Sequence, residues 1–484
     1  MKRQQRISSL ITMDQIRNWN KGQVVTISAP TGSGKSHFIK NILYLIAKER
    51  NQKILFLVHR KRCKQQFYNE LDRDKKLDTI DIVTYQTLEK NKKNFDLSKY
   101  EYIVCDEFHY FTSDSNFNYK TDISLEKILG QTDKIRIFMS ATGDLMTKYI
   151  KNIRCIETIE YTIEQDFSWM KLNFFNKKST INVILDEVIE RNEKAIVFID
   201  NVERCYELYK EYKANSLFCC SENNRYYNYV DNEAINYMLE KEKFSENLLI
   251  TTNVLDAGVN IKDDEIKTII CSIKDVGVLV QCLGRKRRKN NEKVNVYIEN
   301  FNNQCFGREK SETIKALEMA RDLDKIDINE WTDKYSKKDN KLYGTLVYDE
   351  GNEKKVNELM KFKLLERNLE LFLMTGDKEK KIEGIGYKKY LASKFNTEYE
   401  TLETYYEEIE LEEYLDNITG KKLFKEEQKE LKDKIGLIDS RGRKQTSIGQ
   451  LNAYLIKNYN KTIINGGRPR VNGKQQTVWI VSDL

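Results

Sequence analysis

Short apolar runs alternate with longer amphipathic stretches from residue 24 to about residue 300. This alternation is typical of βαβ units, in which helices cover both faces of a parallel sheet. The runs form two sets, at 24–28, 54–59, 81–85, 102–106 and 135–141, and then at 195–200, 248–252, 268–273 and 294–298. We therefore predict an α/β fold with two parallel-sheet domains, 1–155 and 181–305, joined by a polar linker at 156–180.

The hydrophobic pattern changes to a helical one beyond residue 305. Segments 308–326 and 354–374 carry apolar residues at spacings of three and four, which predicts a helical accessory region over 306–380. We predict a separate C-terminal domain at 381–484. Within it, 446–460 has the pattern of a helix capped by Thr446 or Ser447, and 462–481 that of a β-hairpin.

Length and composition fit a globular chain of several domains. Its 484 residues, 40% hydrophobic and 32% charged, exceed what one hydrophobic core usually holds. The basic start lacks the apolar segment of a secretory signal, and no run approaches the roughly 18 to 20 apolar residues of a membrane span. We expect a cytoplasmic protein with no membrane partner.

The positive charge is concentrated near the C-terminus. Residues 434–484 hold nine Lys or Arg against two Asp, an excess equal to the formal charge of +7 of the whole chain. A basic surface of this kind favours a nucleic-acid partner.

The segment VVTISAPTGSGKS combines a strand, a Gly-rich turn and the start of a helix. Glycines let backbone N–H groups point at phosphate oxygens, a lysine reaches the β- and γ-phosphates, and a hydroxyl binds Mg²⁺. The predicted ATP-binding residues are Pro30, Thr31, Gly32, Ser33, Gly34, Lys35 and Ser36, with Lys35 also catalytic. The alternative is a flexible Gly/Ser turn.

Two carboxylates and a histidine end the apolar run YIVCDEFH. In phosphate-loop ATPases such an Asp holds Mg²⁺ and a neighbouring carboxylate polarises the attacking water, roles that Asp106 and Glu107 would take. The alternative is a solvated turn. Ser140 and Thr142 in MSAT follow a third strand, where a helix cap is the alternative.

The order phosphate loop, DEFH, SAT resembles the superfamily 2 helicases of the DExH group. LLITTNVLDAGVNI (248–261) and QCLGRKRR (281–288) resemble motifs V and VI of that family. The resemblance implies two RecA-like domains with ATP and Mg²⁺ as cofactors. It further implies that Gln281 orients the attacking water and that Arg285 and Arg288 act as arginine fingers. Coupling residues would be His109, Ser140, Thr142 and Gly258.

Weaker matches supply candidate nucleic-acid contacts. HRKRCKQQF (59–67) and VTYQTL (83–88) resemble further helicase motifs. The candidates are Arg60, Thr84, Gln86 and, in motif V, Thr252, each with a surface loop as the alternative. Cys282, Asn253 and Asn260 depart from the family's usual residues. DAGVNI with QCLGRKRR also resembles phage-encoded and viral origin-binding helicases, which suggests a replication or mobile-element role. A phage-encoded protein would act in the host cytoplasm.

The C-terminal helix and basic hairpin resemble a winged-helix domain. Its hairpin would place Arg468, Arg470 and Lys474 on a phosphate backbone. The alternative is a hairpin that packs on the rest of the protein.

Two functions remain open. The first is an ATP-dependent helicase or translocase acting on DNA in preference to RNA, with replication proteins as further partners. The second is an ATP-switched nucleic-acid-binding initiator or loader that does not separate strands.

Overall fold

The computed structural model describes residues 5–484 apart from 31, 91–94, 117, 119, 253–260, 288–291, 336–344, 352, 378, 438–444 and 472–473. The side chains at 62, 90, 403–410, 471 and 474 also lie outside the description. The chain forms two compact units, Met1–Tyr399 and Glu400–Leu484.

Six parallel strands form the first sheet, in the order β3-β2-β4-β5-β1-β6. They are β1 (Val24–Ser28), β2 (Ile54–Val58), β3 (Ile80–Thr84), β4 (Tyr102–Asp106), β5 (Ile135–Ser140) and β6 (Thr158–Thr162). Leu55 and Leu57 of β2 pack in one buried cluster, and Phe56 between them packs in another. Both faces are therefore covered, which explains the continuous apolar runs.

Helices lie before, between and after these strands. They are α1 (Ile7–Leu10), α2 (Met13–Arg17), α3 (Lys35–His37), α4 (Tyr44–Glu49), α5 (Lys61–Arg73), α6 (Tyr85–Lys90), α7 (Tyr110–Ser113), α8 (Thr121–Leu129) and α9 (Asp144–Lys148). Phe38–Leu43 and Tyr149–Ile153 are π-helical, and Asp114–Asn116 is 3₁₀-helical.

The second sheet is also parallel, and its strands between residues 170 and 299 have the order β7-β12-β11-β8-β10-β9. They are β7 (Met170–Phe175), β8 (Lys194–Ile199), β9 (Ser216–Cys219), β10 (Leu248–Thr251), β11 (Ile266–Ser272) and β12 (Val294–Glu299). The helices among them are α10 (Thr180–Glu190), α11 (Val202–Glu211), α12 (Asn232–Lys241) and α13 (Val276–Leu283), with 3₁₀ turns at Lys213–Asn215 and Arg225–Tyr229. Two tandem RecA-like domains are thus present, as the sequence predicts.

The predicted linker at 156–180 contains two strands, which corrects that prediction. β6 extends the first sheet beside β1 and β7 lies beside β12 in the second, so only 163–169 connects the sheets. β6 is partly exposed along its length, and its sequence TIEYT therefore lacks the continuous apolar pattern of a central strand. β9, only four residues long, was also absent from the predicted strands.

Helices dominate the part of the first unit after residue 300. They are α14 (Asn303–Asp322), α15 (Ile328–Tyr335) and α16 (Glu358–Thr375). A hairpin of β13 (Val347–Glu350) and β14 (Glu353–Val356) precedes α16, so the helix begins later than the predicted residue 354. The short strands β15 (Gly376–Asp377) and β16 (Ile382–Glu383) follow.

The predicted boundary at 381 is wrong. α17 (Tyr387–Phe395) buries Tyr387, Leu391 and Phe395 in the core of the second sheet. The compact C-terminal unit begins instead at Glu400. The apolar face of α17 has the same helical spacing whichever core it joins, so sequence spacing alone does not place this boundary.

The second unit combines helices with a three-stranded antiparallel sheet. After the strand β17 (Tyr399–Thr401) come α18 (Leu402–Ile418), β18 (Lys422–Leu423), α19 (Lys425–Ile435), α20 (Ile448–Tyr459), β19 (Lys461–Asn465), β20 (Arg470–Val471), β21 (Lys474–Gln475) and β22 (Trp479–Asp483). The sheet order is β18-β22-β19, and the core contains Leu415, Leu455 and Trp479. Ser447 caps α20 through its hydroxyl, which accepts from the Gln450 N–H at 3.4 Å. In the described part of the chain, no helix is long and apolar enough to span a bilayer.

Candidate functional site

Three of the predicted motifs meet because their strands are neighbours. In the order β4-β5-β1 the carboxyl ends of these strands lie at one edge of the first sheet. Asp106, Ser140 and Ser28 are the last residues of the three strands. Ligands of parallel sheets bind at such carboxyl ends. One continuous cleft of about 4440 Å³ is lined by this edge and by residues of the second sheet domain.

The phosphate-loop candidate follows β1 and leads into a helix. Gly32 and Gly34 have φ of 87° and 93°, in the left-handed region that favours glycine. Helical structure begins directly afterwards, at Lys35. Such a loop can direct successive N–H groups at one anion, and the helix N-terminus adds positive partial charge.

The Lys35 ammonium lies over the same loop. Its Nζ donates to the carbonyl oxygens of Ala29 at 2.8 Å and Pro30 at 3.4 Å. Ser33 is buried, and its hydroxyl has no partner among the described residues. A buried ammonium and an unpaired hydroxyl in a glycine-rich loop are suited to a polyphosphate.

Two adjacent carboxylates end β4. Burial and the charge of Glu107 raise the pKa of Asp106 to about 7. Burial would also raise the pKa of Glu107, but the charge of Lys35 and a hydrogen bond from His109 hold it below its usual range. Glu107 has a φ of 48°, a conformation that is rare outside glycine and that often marks functional positions.

Asp106 and Ser36 are the residues that would supply oxygen donors to a divalent cation. Both line the cleft, and the Asp106 side chain is buried. Two buried neighbouring carboxylates are stable together when a cation offsets their charge, and hard oxygen ligands suit Mg²⁺. The residues therefore fit Mg²⁺ bound with ATP, which would neutralise charge on the phosphate oxygens.

A hydrogen-bond network extends from Glu107 to the second sheet domain. Ser140 Oγ donates to Glu107 Oε2 at 3.2 Å and lies 2.8 Å from His109 Nδ1. Gln281 Nε2, on α13, lies 3.1 Å from His109 Nε2 and donates to Thr142 Oγ1 at 3.1 Å. Gln281 can donate to His109 only if Nε2 of that ring is unprotonated, so Nδ1 carries the proton towards Ser140. The cleft is thus bridged at the carboxylate that would activate water.

Two arginines after α13 line the cleft: Arg285, which is one of the predicted fingers, and Arg287, which is not. Ile261 N–H donates to the Arg285 carbonyl and Arg287 N–H donates to the Ile261 carbonyl. Residues 285–287 are therefore extended beside Ile261. Side chains alternate along extended backbone. Arg285 and Arg287 line the cleft, and Lys286 between them, which also borders it, is buried and pairs with Glu292, with Nζ to Oε1 at 2.7 Å.

Arg287 lies over the phosphate loop. A Cβ placed on Gly32 would be 3.1 Å from Arg287 Nη1. Burial and the neighbouring charge of Arg285 lower the pKa of Arg287 to about 10. The sequence comparison with motif VI missed Arg287, although an alternating pattern through GRKR was the available signal. Arg288 lies outside the described residues.

His59 is a further cleft residue that the motif comparison did not select. Its ring centroid lies 6.4 Å from that of His109, and its Nδ1 is buried without a partner among the described atoms. Burial lowers the pKa of His59 to about 3. His59 therefore remains neutral near physiological pH.

The candidate nucleic-acid contacts have different surroundings. Arg60 lines the cleft. Thr84 and Thr252 are buried, which favours structural roles for these two residues. The Thr84 hydroxyl also lies 3.2 Å from that of Thr87. Gln86 Nε2 donates to the His59 carbonyl at 3.2 Å.

The remaining candidates lie in the C-terminal unit or outside the description. Arg468 and Arg470 are exposed there. Thr31, Gly258 and the Lys474 side chain are outside the described residues.

Residues 1–144 match the family described as "Type III restriction enzyme, res subunit". Among solved structures, the chain is similar to S. cerevisiae Dbp5 bound to RNA and ADP BeF3 (15% identity, TM-score 0.44, 61% of this chain and 83% of that chain). It is also similar to Mss116p bound to ssRNA and AMP-PNP (14% identity, TM-score 0.43, 63% and 72%). A comparison with curated protein sequences gives no match.

Proposed function

We propose that the chain is a superfamily 2 helicase, an ATP-hydrolysing and nucleic-acid-dependent enzyme, and that it couples ATP hydrolysis to movement along DNA or to separation of its strands. The observation that carries this proposal is the bond of Gln281 to both His109 and Thr142 across the cleft. A contact between the water-activating network and the second domain makes hydrolysis depend on how the two domains are arranged. That dependence is what a motor requires.

The chemical step assigns one role to each group. Glu107 takes a proton from water as the water oxygen bonds to the γ-phosphorus. The bond from that phosphorus to the β,γ-bridging oxygen breaks, giving ADP and inorganic phosphate. Lys35, Arg285 and Arg287 would balance the charge on the phosphoryl oxygens, and Arg288 remains a predicted finger.

DNA is the proposed substrate class. The family matched by residues 1–144 is described as a restriction-enzyme subunit, and restriction enzymes act on DNA. The basic tail adds positive charge suited to a phosphate backbone. A role in phage or mobile-element replication, with replication proteins as partners in the cytoplasm, is the biological setting that we propose.

The alternative function is an ATP-switched initiator or loader. The exposed Arg468 and Arg470 in a separate compact unit favour it, because a binding module can act without strand separation. Both functions use the same ATP site, so the two differ only in what the hydrolysis drives.

Two assays decide between them. ATP hydrolysis is measured with single-stranded DNA and with RNA of matched length, and strand displacement is measured on tailed duplexes. We expect DNA to stimulate hydrolysis more than RNA and the tailed duplex to separate. Hydrolysis without displacement would support the loader, and stimulation by RNA alone would contradict the choice of DNA.

A further inference from the structure

Helix α16 extends between the two sheet domains. Near its start, Leu359 and Phe362 pack in a core cluster of the first sheet. Near its end, Leu371 and Met374 pack in the core of the second. The Lys148–Glu366 ion pair at 2.7 Å adds a contact to the first domain. The middle of the helix therefore forms one wall of the cleft.

Lys363 lies in this middle part and lines the cleft. In the described part of the chain its ammonium has no hydrogen bond and no ion pair within 4.0 Å. Burial lowers its pKa from the usual value of lysine. Withdrawing an ammonium from water without a bonded partner is costly, so such a group is a candidate for binding an anion.

The charged groups near Lys363 are engaged elsewhere. Arg367 binds Glu309 at 2.8 Å and Glu370 at 2.9 Å. Two carboxylates act on Lys363 through their charge: Asp275, which accepts from the Val278 N–H at 3.0 Å, and Asp114, which accepts from the Ser113 hydroxyl at 3.3 Å.

Arg60 provides a second positive charge in the same place. Its charge acts on Asp114, as does that of Lys363. Arg60, in the segment after β2, and Lys363, on helix α16, line the same cleft, as does Asp114. Arg60 is a candidate contact of the nucleic-acid backbone, so Lys363 extends that surface along the cleft wall.

We propose that Lys363 binds a backbone phosphate of a single nucleic-acid strand that lies in the cleft between Arg60 and helix α16. This assigns substrate contact to the helical accessory region, and it rests on the proposed function. A phosphodiester supplies the anion that the ammonium lacks, and the contact carries no sequence information because every nucleotide presents the same phosphate.

The rival role for Lys363 is purely internal. Its charge could hold the first domain, through Asp114, to the second domain, through Asp275. In that case its removal would lower the thermal stability of the protein and leave strand binding unchanged. The two roles therefore have different measurable consequences.

The first experiment measures binding of a labelled oligothymidylate across a salt series to the full chain and to Lys363→Ala and Lys363→Arg. Removal of one phosphate contact should reduce the slope of log affinity against log salt by about 0.7 for a single strand. Lys363→Arg, which keeps the charge, should retain the wild-type slope. Lys361→Ala is the matched control, because Lys361 lies on the same helix and pairs with Glu358 at 3.2 Å.

The second experiment uses unmodified protein, so folding of a variant is not involved. Lysines are acetylated in three conditions: without nucleic acid, with excess oligothymidylate and with excess oligouridylate. The extent of acetylation at each lysine is measured by mass spectrometry. Lys363 should be protected by the strand, whereas Lys361 should react equally in all three conditions.

An unchanged salt slope for Lys363→Ala, or equal acetylation of Lys363 with and without the strand, overturns this inference. An equal reduction of the slope in Lys361→Ala also overturns it, because the effect would then reflect net charge alone. If the wild-type chain binds no nucleic acid, the proposed function fails instead.

Discussion

Gln281 of α13 donates to Thr142 at 3.1 Å and lies 3.1 Å from the ring nitrogen Nε2 of His109, so one amide joins the two sheet domains. His109 in turn bonds Ser140, which bonds Glu107. The proposed base therefore senses the second domain through two intervening side chains.

Replacing Gln281 by Ala should lower nucleic-acid-stimulated ATP turnover about tenfold, since a buried network then loses about 1 to 1.5 kcal/mol of hydrogen bonding. The ratio of stimulated to basal rate should fall with it. Steady-state ATPase assays with and without DNA measure both quantities. Gln65→Ala, at an exposed position outside the cleft, is the control. A stimulation ratio equal to wild type would remove Gln281 from coupling.

Lys35→Ala should reduce ATP hydrolysis by roughly 10²-fold or more, because the point charge over the phosphate loop is removed. Glu107→Gln should still bind ATP and fail to turn it over, because an amide cannot accept the proton of water. Nucleotide binding and single-turnover hydrolysis separate these two effects. Hydrolysis by Glu107→Gln at the wild-type rate would assign the base to another residue.

Arg285→Ala and Arg287→Ala should each cut turnover strongly with little change in ATP affinity, because the guanidinium groups act on charge that grows in the transition state. Arg287→Lys should recover only part of the rate, since a lysine lacks the planar fork.

Arg191→Ala removes an exposed arginine of the second domain that pairs with Glu187, and is the control. A larger decrease for Arg288→Ala than for Arg287→Ala would favour the pair that motif VI predicts over a role for Arg287. Binding of ADP with an aluminium fluoride, compared with ADP alone, tests the transition-state role directly.

His59 should make folding stability depend on pH. Its pKa is about 3 in the folded protein and about 6.5 when unfolded. The unfolded state therefore binds more protons as pH falls below about 6.5, so the stability from neutral His59 is present above that pH and is lost as acid is added.

The free energy of unfolding should decrease as pH falls, and proton uptake by His59 should account for at most about 1.4 kcal/mol of this decrease per pH unit. In His59→Gln the decrease should be shallower by that amount. Denaturant unfolding at a series of pH values measures this slope. His37→Gln, at an exposed histidine, controls for removal of an imidazole. Parallel curves for His59→Gln and wild type would contradict burial of a neutral ring.

The basic hairpin can be tested by changing Arg468, Arg470 and Lys474 together to Ala. If the C-terminal unit binds duplex as a winged helix does, the slope of log affinity against log salt should become shallower by about 0.9 for each phosphate that the variant no longer binds. Binding to labelled duplex across a salt series is the measurement. A variant with Lys421, Lys425 and Lys429 changed to Ala removes the same charge elsewhere in that unit. Equal slopes in all three proteins would favour a hairpin that only packs.

The sequence by itself determined the elements whose signal is local. The continuous apolar strands β1, β4 and β5 were predicted within one residue, because buried parallel strands are apolar at every position. The phosphate loop and the Asp106–Glu107 pair follow from residue types at fixed short spacing. β6, with a partly exposed pattern, has no such local signal and was missed.

Tertiary structure decided which distant residues meet. The order β4-β5-β1 brings Asp106, Ser140 and the phosphate loop together, and the packing of the two domains brings Gln281 to His109. Arg287 lies at the loop because the segment is extended against Ile261, and a motif spacing does not record that backbone conformation. Contacts between residues more than a hundred positions apart depend on the packing of whole elements, which local periodicity does not specify.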